Sequence, residues 1–304
     1  MPKMNRVPWE LPRTPLAWLV LGLLISGAAQ AGEAGGAAAK PARDDTAAEK
    51  LGWRVSMASY TLRAMTFMEE VNAVAGLGLK YLDIHPNMTL SKEHNVKTDH
   101  NLPAELRELM KKKLQESRLK AVSYGMVGLG ADEKSARKVF AFAKEMGAEN
   151  IVCEAKREQM DLLDKLTEEY GINIALHNHP KPSPYWDADT VLKAVEGHSK
   201  RIGACADTGH WVRSGLEPLD CLKKLKGRII SLHFKDLVEA GKGWVDVPWG
   251  TGKSDAKGML AELKSQGFKG VFSIEYERTT GKELLDNCAK CIRFFDQAAA
   301  ELSK

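Results

Sequence analysis

From Leu51 onward, short apolar runs alternate with longer segments whose apolar positions recur every three or four residues. The short runs predict strands at 53–59 (WRVSMAS), 81–85 (YLDIH), 120–126 (KAVSYGM), 150–154 (NIVCE), 172–179 (INIALHNH), 201–207 (RIGACAD), 229–235 (IISLHFK) and 270–277 (GVFSIEYE). The longer segments predict helices near 66–77, 103–117, 132–146, 158–170, 187–196, 216–224, 254–266 and 281–302. Pro103 and Pro218 stand near helix starts, and Gly147, Gly171 and Gly267 stand just past helix ends, as termini require. Eight strand–helix units in about 250 residues have the size and order of a (β/α)₈ TIM barrel, α/β in class. A doubly wound open sheet is the rival, but it usually has fewer strands and often a glycine-rich phosphate turn after its first strand, which this sequence lacks.

Strand parity supports the barrel independently. Ala175, His177 and His179 share one face of the fifth strand, opposite Ile172, Ile174 and Leu176. Gly203, Cys205 and Asp207 share a face of the sixth, Ser231, His233 and Lys235 of the seventh, and Ser273, Glu275 and Glu277 of the eighth. The opposite faces of the last two are bulky and apolar, with Leu232 and Phe234 on one and Phe272, Ile274 and Tyr276 on the other. Period-two alternation therefore sends small and polar groups inward and helix-packing groups outward. The inward polar residues fall at the last positions of their strands, the end where barrel enzymes keep their catalytic groups.

The first 49 residues lie outside this pattern. Lys3, Arg6 and Arg13 precede an apolar run from Leu16 to Ile25, and Ala29-Gln30-Ala31 offers a small-residue cleavage site. That order predicts a signal peptide over 1–31 and an exported protein, periplasmic or secreted, with no stable membrane span after cleavage; an uncleaved anchor helix is the alternative. Residues 32–50, rich in Gly and Ala, read as a flexible linker, leaving 51–304 as a single barrel domain.

Composition narrows the function. The chain has 304 residues, 44% apolar and 28% charged, with a net charge of only +4 and basic residues scattered rather than clustered, so no nucleic-acid footprint is present. Cys153, Cys205, Cys221, Cys288 and Cys291 make an odd set. Cys288 and Cys291 form a CxxC inside a helical pattern with no second pair, which reads as a helix-face coincidence. Cys153 and Cys205 sit in apolar strands and read as small buried side chains.

Four strand ends carry ligand-type residues: Glu154, Asp207, His233 and Glu275. Carboxylates plus imidazole suit one divalent ion (Mn²⁺, Mg²⁺, Co²⁺ or Zn²⁺) with positions open for substrate oxygens. The competing reading is an ion-pair network with Lys235 and Arg213. His177 and His179 add two inward imidazoles suited to proton transfer, and Lys235 can stabilise a developing oxyanion. His210, Trp211, Arg213 and Trp249 follow strand ends closely enough to contact a substrate. Trp186, Trp211, Trp244 and Trp249 offer faces for a sugar ring or, equally, anchors for loops. Gly252-Lys253-Ser254 ends like a phosphate loop, yet Val247 stands where its first glycine belongs, so 241–252 reads as a mobile loop over the site.

These residues resemble the sugar phosphate isomerase/epimerase family of the xylose isomerase-like barrel superfamily, over roughly 53–296. The stretches IALHNHPKPSPYW, GACADTGHWVRSG, ISLHFKD, DVPWGTG and FSIEYE carry the resemblance. It implies a divalent metal held by an acidic residue on the fifth strand, Asp on the sixth, His on the seventh and Glu on the eighth; the last three map onto Asp207, His233 and Glu275. At the fifth-strand position this chain has His177. Either His177 or His179 ligates, or Glu154 replaces the missing carboxylate; three carboxylates and one imidazole keep the usual charge, which favours Glu154. Glu154 and Glu275, with His177 and His179, are then the candidate acid/base groups, a His standing in for one glutamate of the proton shuttle in related epimerases.

An export signal argues against a phosphorylated substrate. The expected reaction is proton abstraction through an enediolate on a free or oxidised sugar or glycoside, serving isomerisation, epimerisation or β-elimination. A small-molecule sugar is the expected partner, and a homo-oligomer is compatible. The rivals are a metal-dependent phosphodiesterase of the endonuclease IV type, which needs a basic groove, and a sugar-binding barrel without turnover.

Overall fold

The computed structural model describes residues 43–304; the expected signal peptide and most of the expected linker lie outside them. In chain order the elements are Thr46–Leu51 (α1), Trp53–Ala58 (β1), Phe67–Gly76 (α2), Tyr81–Ile84 (β2), Ala104–Glu116 (α3), Lys120–Gly125 (β3), Glu133–Met146 (α4), Asn150–Cys153 (β4), Met160–Tyr170 (α5) and Asn173–His177 (β5). They continue with Ala188–Ala194 (α6), Ile202–Asp207 (β6), Thr208–Arg213 (α7), Pro218–Lys224 (α8), Ile229–Phe234 (β7), Asp236–Ala240 (β8), Gly243–Val247 (β9), Ala256–Ser265 (α9), Gly270–Ile274 (β10) and Gly281–Leu302 (α10). Short 3₁₀ turns occupy Ser59–Leu62 and Arg157–Gln159.

Eight parallel strands close a barrel in the order β1-β10-β7-β6-β5-β4-β3-β2. Each strand expected from the hydrophobic pattern is one of these eight. β1 closes the ring by pairing with β10, Trp53 opposite Gly270 and Met57 opposite Ile274. Outward side chains join the helices in one continuous apolar layer. Within it, Trp53, Phe234, Trp249, Phe272 and Phe295 pack with ring centroids 4.8–6.4 Å apart.

Local sequence explains the helices. In α4 the Asp132 side chain accepts from Ser135 N at 2.7 Å, Gly147 ends the helix at φ 81, and Ala136, Val139, Phe140, Ala143 and Met146 form its buried stripe. Burial of a side chain the size of Phe140 contributes roughly 1.5–3 kcal/mol, more than the cap. In α2, Thr66 and Glu69 close a reciprocal capping box. In α10, Cys288 and Cys291 lie on the buried face with Leu284, Ile292 and Phe295, so the CxxC spacing is core packing.

Two segments around the barrel differ from the sequence expectation. The linker reading fails for 43–50: Arg43 forms an ion pair with Asp296 and α1 packs against α10, because Ala48 provides an apolar face that Gly/Ala counting overlooks. The segment read as a mobile loop is instead the antiparallel hairpin β8–β9 followed by a tied turn. The buried Asp236 carboxylate accepts from Gly250 N, Gly252 N and Ser254 N at 2.8–3.0 Å, so the residues that mimic a phosphate loop already hold a carboxylate. A Cβ at Gly252 would overlap that carboxylate.

Candidate functional site

The inward parity places a layer of small groups at mid-barrel and polar groups above it. Val152, Ala175 and Cys205 form a small apolar cluster, while the Ser56 and Ser273 hydroxyls both donate to the buried Asp83 carboxylate. Over this layer opens a cavity of about 300 Å³ at the C-terminal ends of the strands, lined among others by Asp83, His85, His179, His210, His233 and Glu275.

Asp207 ends β6 and caps α7. Its Oδ1 accepts from His210 N at 2.7 Å, while its Oδ2 is buried without a hydrogen-bond donor. Asn178 fixes the same strand end, with Oδ1 accepting from Asp207 N at 2.7 Å and Nδ2 donating to the Asp207 carbonyl at 2.9 Å. Close approach of α7 to β7 is what Gly209 permits, since a Cβ there would lie 2.7 Å from Lys235 Cδ.

Imidazoles and carboxylates then converge. Ligand atoms of His177, Asp207, His210 and Glu275 lie within 4.8 Å of one another, as do those of His177, Cys205 and His233. His233 Nδ1 lies 3.0 Å from Glu275 Oε2 and 3.1 Å from His177 Nε2. Lys235 Nζ stands 2.9 Å from Asp207 Oδ2, 2.7 Å from Glu275 Oε2 and 3.3 Å from Glu277 Oε2, ion-pair distances without hydrogen-bond geometry. Arg213 pairs with Asp246 and Glu277 at 2.9 and 3.0 Å. Separately, His179 Nδ1 lies 2.6 Å from Glu154 Oε1, which also accepts from Ser183 Oγ at 2.9 Å.

The electrostatics follow from burial and these neighbours. Burial alone would raise the Asp207 and Glu275 carboxyls; His210 and Lys235 hold Asp207, and His233 and Lys235 hold Glu275, well below the carboxylate range. Burial pushes His210 down to about 3 and also lowers His177, so both rings are neutral and carry a free lone pair at neutral pH. Burial opposes charge on His233 too, but Cys205 and Glu275 beside it raise it well above 6.5. The Glu154 hydrogen bond raises His179, whereas His179 and Ser183 outweigh burial and lower Glu154.

A divalent metal fits this donor set. Asp207 Oδ2 and His177 Nδ1 are buried without hydrogen-bond partners, two neutral imidazoles and two ionised carboxylates converge, and the set is open toward the cavity. Its membership differs from the expected one. Asp207 and Glu275 are in it, joined by His177 and His210. Glu154 is outside every group at ligand spacing among the described residues, because its carboxylate is turned to His179 and Ser183. His233 groups with His177 and Cys205 instead.

Four expected substrate contacts, Trp211, Trp249, Arg213 and Lys235, are corrected. Trp211 is 1% exposed and part of the apolar core, since α7 turns it away from the mouth. Trp249 packs on Phe234 and Phe295 outside the barrel wall. Arg213 is held by Asp246 and Glu277 and does not line the cavity. Lys235 is fully buried behind the carboxylates, while His179 and His210 do reach the cavity. Asp83, His85, Tyr60 and Asn178 were not singled out from the sequence, although Asp83 and His85 share the inward parity of the YLDIH strand and Asn178 stands between the two expected histidines.

The family model described as xylose isomerase-like TIM barrel matches residues 71–297. Among curated proteins, an inosose dehydratase from Geobacillus thermodenitrificans is 28% identical over 134 residues, 39% of this chain and 45% of that protein; the chain thus matches less than half the length of such relatives. A crystal structure of an uncharacterized protein from Parabacteroides distasonis is 30% identical, with a TM-score of 0.66 over 81% of this chain and 99% of that one. A barrel protein from Mycobacterium smegmatis, solved in complex with magnesium, is 15% identical with a TM-score of 0.65 over 83% and 98% of the two chains, a likeness of fold.

Proposed function

The chain belongs to the xylose isomerase-like TIM barrel family, and from that premise we propose that it is an exported, divalent-metal-dependent enzyme acting on a free or oxidised sugar. The reaction it carries out is proton transfer at the carbon beside a carbonyl, the step shared by isomerisation, epimerisation and elimination. The observation that carries this reading is the convergence of His177, Asp207, His210 and Glu275 beside the cavity that His210 and Glu275 line together with His179, which is backed by Glu154.

A metal held by His177, Asp207, His210 and Glu275 would, when bound, polarise a carbonyl and its neighbouring hydroxyl and acidify the C–H between them. The rest is the work of the side chains. His179 has its Nδ1 engaged by Glu154, which leaves Nε2 to exchange a proton with the substrate. The buried Lys235 balances part of the negative charge of Asp207, Glu275 and Glu277. His85 and Tyr60 also line the cavity, their rings 5.4 Å apart.

The cavity also supports an uncharged substrate. Its lining includes neither lysine nor arginine, and the cationic groups at or beside it, His179, His233, Lys235 and Arg213, are each paired with carboxylates. A phosphate would meet carboxylates without a free cation. The same feature disfavours the phosphodiesterase reading, which needs a basic groove. The inosose dehydratase relative adds loss of water from a keto-polyol to the reactions to be tried.

The test is solvent deuterium incorporation into a series of free and oxidised sugars by the protein loaded with Mg²⁺, Mn²⁺, Co²⁺ or Zn²⁺. Exchange that needs the metal and is lost with a chelator is the expected result. Binding without exchange for every sugar and every metal would leave a carbohydrate-binding barrel instead.

A further inference from the structure

A second cavity, of about 630 Å³, opens at the other end of the barrel. Tyr81 and Lys120, the first residues of β2 and β3, line it together with the carboxyl-terminal turns of α3 and α4. It therefore lies at the amino-terminal ends of the strands, away from the imidazoles and carboxylates of the candidate site. Leu114, Leu119 and Met146 give it an apolar wall, and its charged residues are mostly cations. Its two carboxylates are already engaged: Arg54 forks onto Glu149 with two contacts of 2.7 Å, and Arg107 stands 2.8 Å from Glu145. Lys111 is paired with Glu108 at 2.6 Å. Among the described residues, that leaves Arg118 and Lys120, both exposed, as lining cations without a carboxylate partner.

The backbone at Arg118 points the same way. α2, α3, α4 and α9 end in one motif, in which two successive amides fold back onto carbonyls of the last turn: Gly78 and Leu79, Arg118 and Leu119, Gly147 and Ala148, Gly267 and Phe268. The first residue of each pair is left-handed, at φ 76, 56, 81 and 68 in turn. Glycine fills that position at three of the four ends, because a Cβ disfavours it. α3 keeps an arginine there, against the backbone preference, beside a cavity in which its charge is unmatched.

We propose that this cavity binds a small organic carboxylate with a hydrocarbon body, the head on Arg118 and Lys120 and the body along Leu114, Leu119 and Met146. The volume suits a small molecule, for which sites run to about 300–1,000 Å³. The two unmatched cations select an anion. The apolar wall selects against a wholly polar one such as inorganic phosphate, which would cover none of it. Binding makes and breaks no covalent bond, and it does not depend on the reaction proposed for the opposite end of the barrel.

Decanoate, kept below its micelle concentration, is the probe, titrated into the unaltered chain by calorimetry and by methyl NMR. Saturable binding at a single site is expected, with shifts at the methyl groups of Leu114, Leu119 and Met146. No saturable binding, or shifts centred on the residues around His179 and His210, overturns the proposal. Arg118→Gly suits the left-handed backbone, so this variant should melt no lower than the unaltered chain while binding decanoate about tenfold or more weakly. Unchanged affinity would overturn the proposal. So would an equal loss in Lys112→Gln, which removes an exposed cation of the same helix from outside the cavity. Should Arg118→Gly fold poorly, Lys120→Gln gives the same reading from an exposed position. Inorganic phosphate should bind far more weakly than decanoate; equal affinity would show surface charge alone and reject the site.

Discussion

Glu154 Oε1 and His179 Nδ1 are 2.6 Å apart, an ion pair at the rim of the cavity that stands clear of the deeper carboxylates. His179 is raised above 6.5 and Glu154 lowered below 4.5, chiefly by each other once burial is set against it. The raised His contributes stability in full below its unfolded pKa and loses it as pH rises through its folded pKa. The lowered Glu contributes in full above its unfolded pKa and loses it as pH falls through its folded one. The pair is therefore fully effective between about 4.5 and 6.5. His179→Gln should lower the melting temperature most within that window and least in alkali. Melting curves across pH check this; a pH-independent difference would count against the pair. If His179 carries the proton, the same variant lowers turnover by roughly 10²–10⁴-fold while metal content stays unchanged.

Lys235 predicts a metal-dependent stability. Its ammonium lies among Asp207, Glu275 and Glu277, fully buried. Lys235→Met leaves those carboxylates uncompensated, at a cost of about 3–5 kcal/mol in metal-free protein. Added divalent metal should restore part of the loss, so the metal-induced rise in melting temperature is larger in the variant than in the unaltered chain. An equal rise in both would show that lysine and metal do not share the carboxylates.

Glu70 on α2 is fully buried with both oxygens unpartnered, and burial, reinforced by Asp83 and only partly offset by Ser59, raises it to about 8. The folded state thus keeps a proton that the unfolded state releases near 4.5, so this carboxyl favours folding less and less as pH rises from about 4.5 to 8. Glu70→Gln removes that dependence. Denaturant unfolding should show the variant gaining on the unaltered chain by a few kcal/mol between those limits. Parallel curves would refute the assignment.

Gly252→Ala tests the tied turn. The added methyl overlaps the Asp236 carboxylate, which cannot retreat without losing three backbone donors. A loss of about 1–3 kcal/mol is expected. Ala at the exposed Gly243 in the hairpin, where a Cβ meets nothing within 4 Å, should cost far less, and equal losses would contradict the clash.

Export predicts a mature end near Gly32. N-terminal sequencing of material released by a secreting host checks this, and an intact Met1 in a membrane fraction would refute it.

The barrel was legible because strand parity is a local property. Ser231, His233 and Lys235 alternate against Leu232 and Phe234 whatever the rest of the chain does. The ligand set was legible only in part. Parity shows that Glu154 and His177 both point inward, but the choice between them depends on side-chain direction, and the Ser183 hydroxyl that draws Glu154 away sits on a distant loop. Trp211 and Trp249 misled for a related reason. Position after a strand end suggests the mouth, yet the turn of α7 and the Phe234–Phe295 surface decide where an indole goes. The β8–β9 hairpin was hidden by its flanking glycines, and Asp236 gave no sign in sequence that three amides would close on it.

Closure of β1 against β10 bears on how the chain is made. Synthesis proceeds from the amino end, so β1 and β7 each keep a bare edge until Gly270–Ile274 has left the ribosome, and Asp83 lacks the Ser273 hydroxyl for as long. A nascent barrel short of its last strand is an open sheet with two templates for wrong pairing and a half-satisfied carboxylate inside it. Delay or loss of the last strand therefore leaves the chain exposed to aggregation even when the other seven are in place.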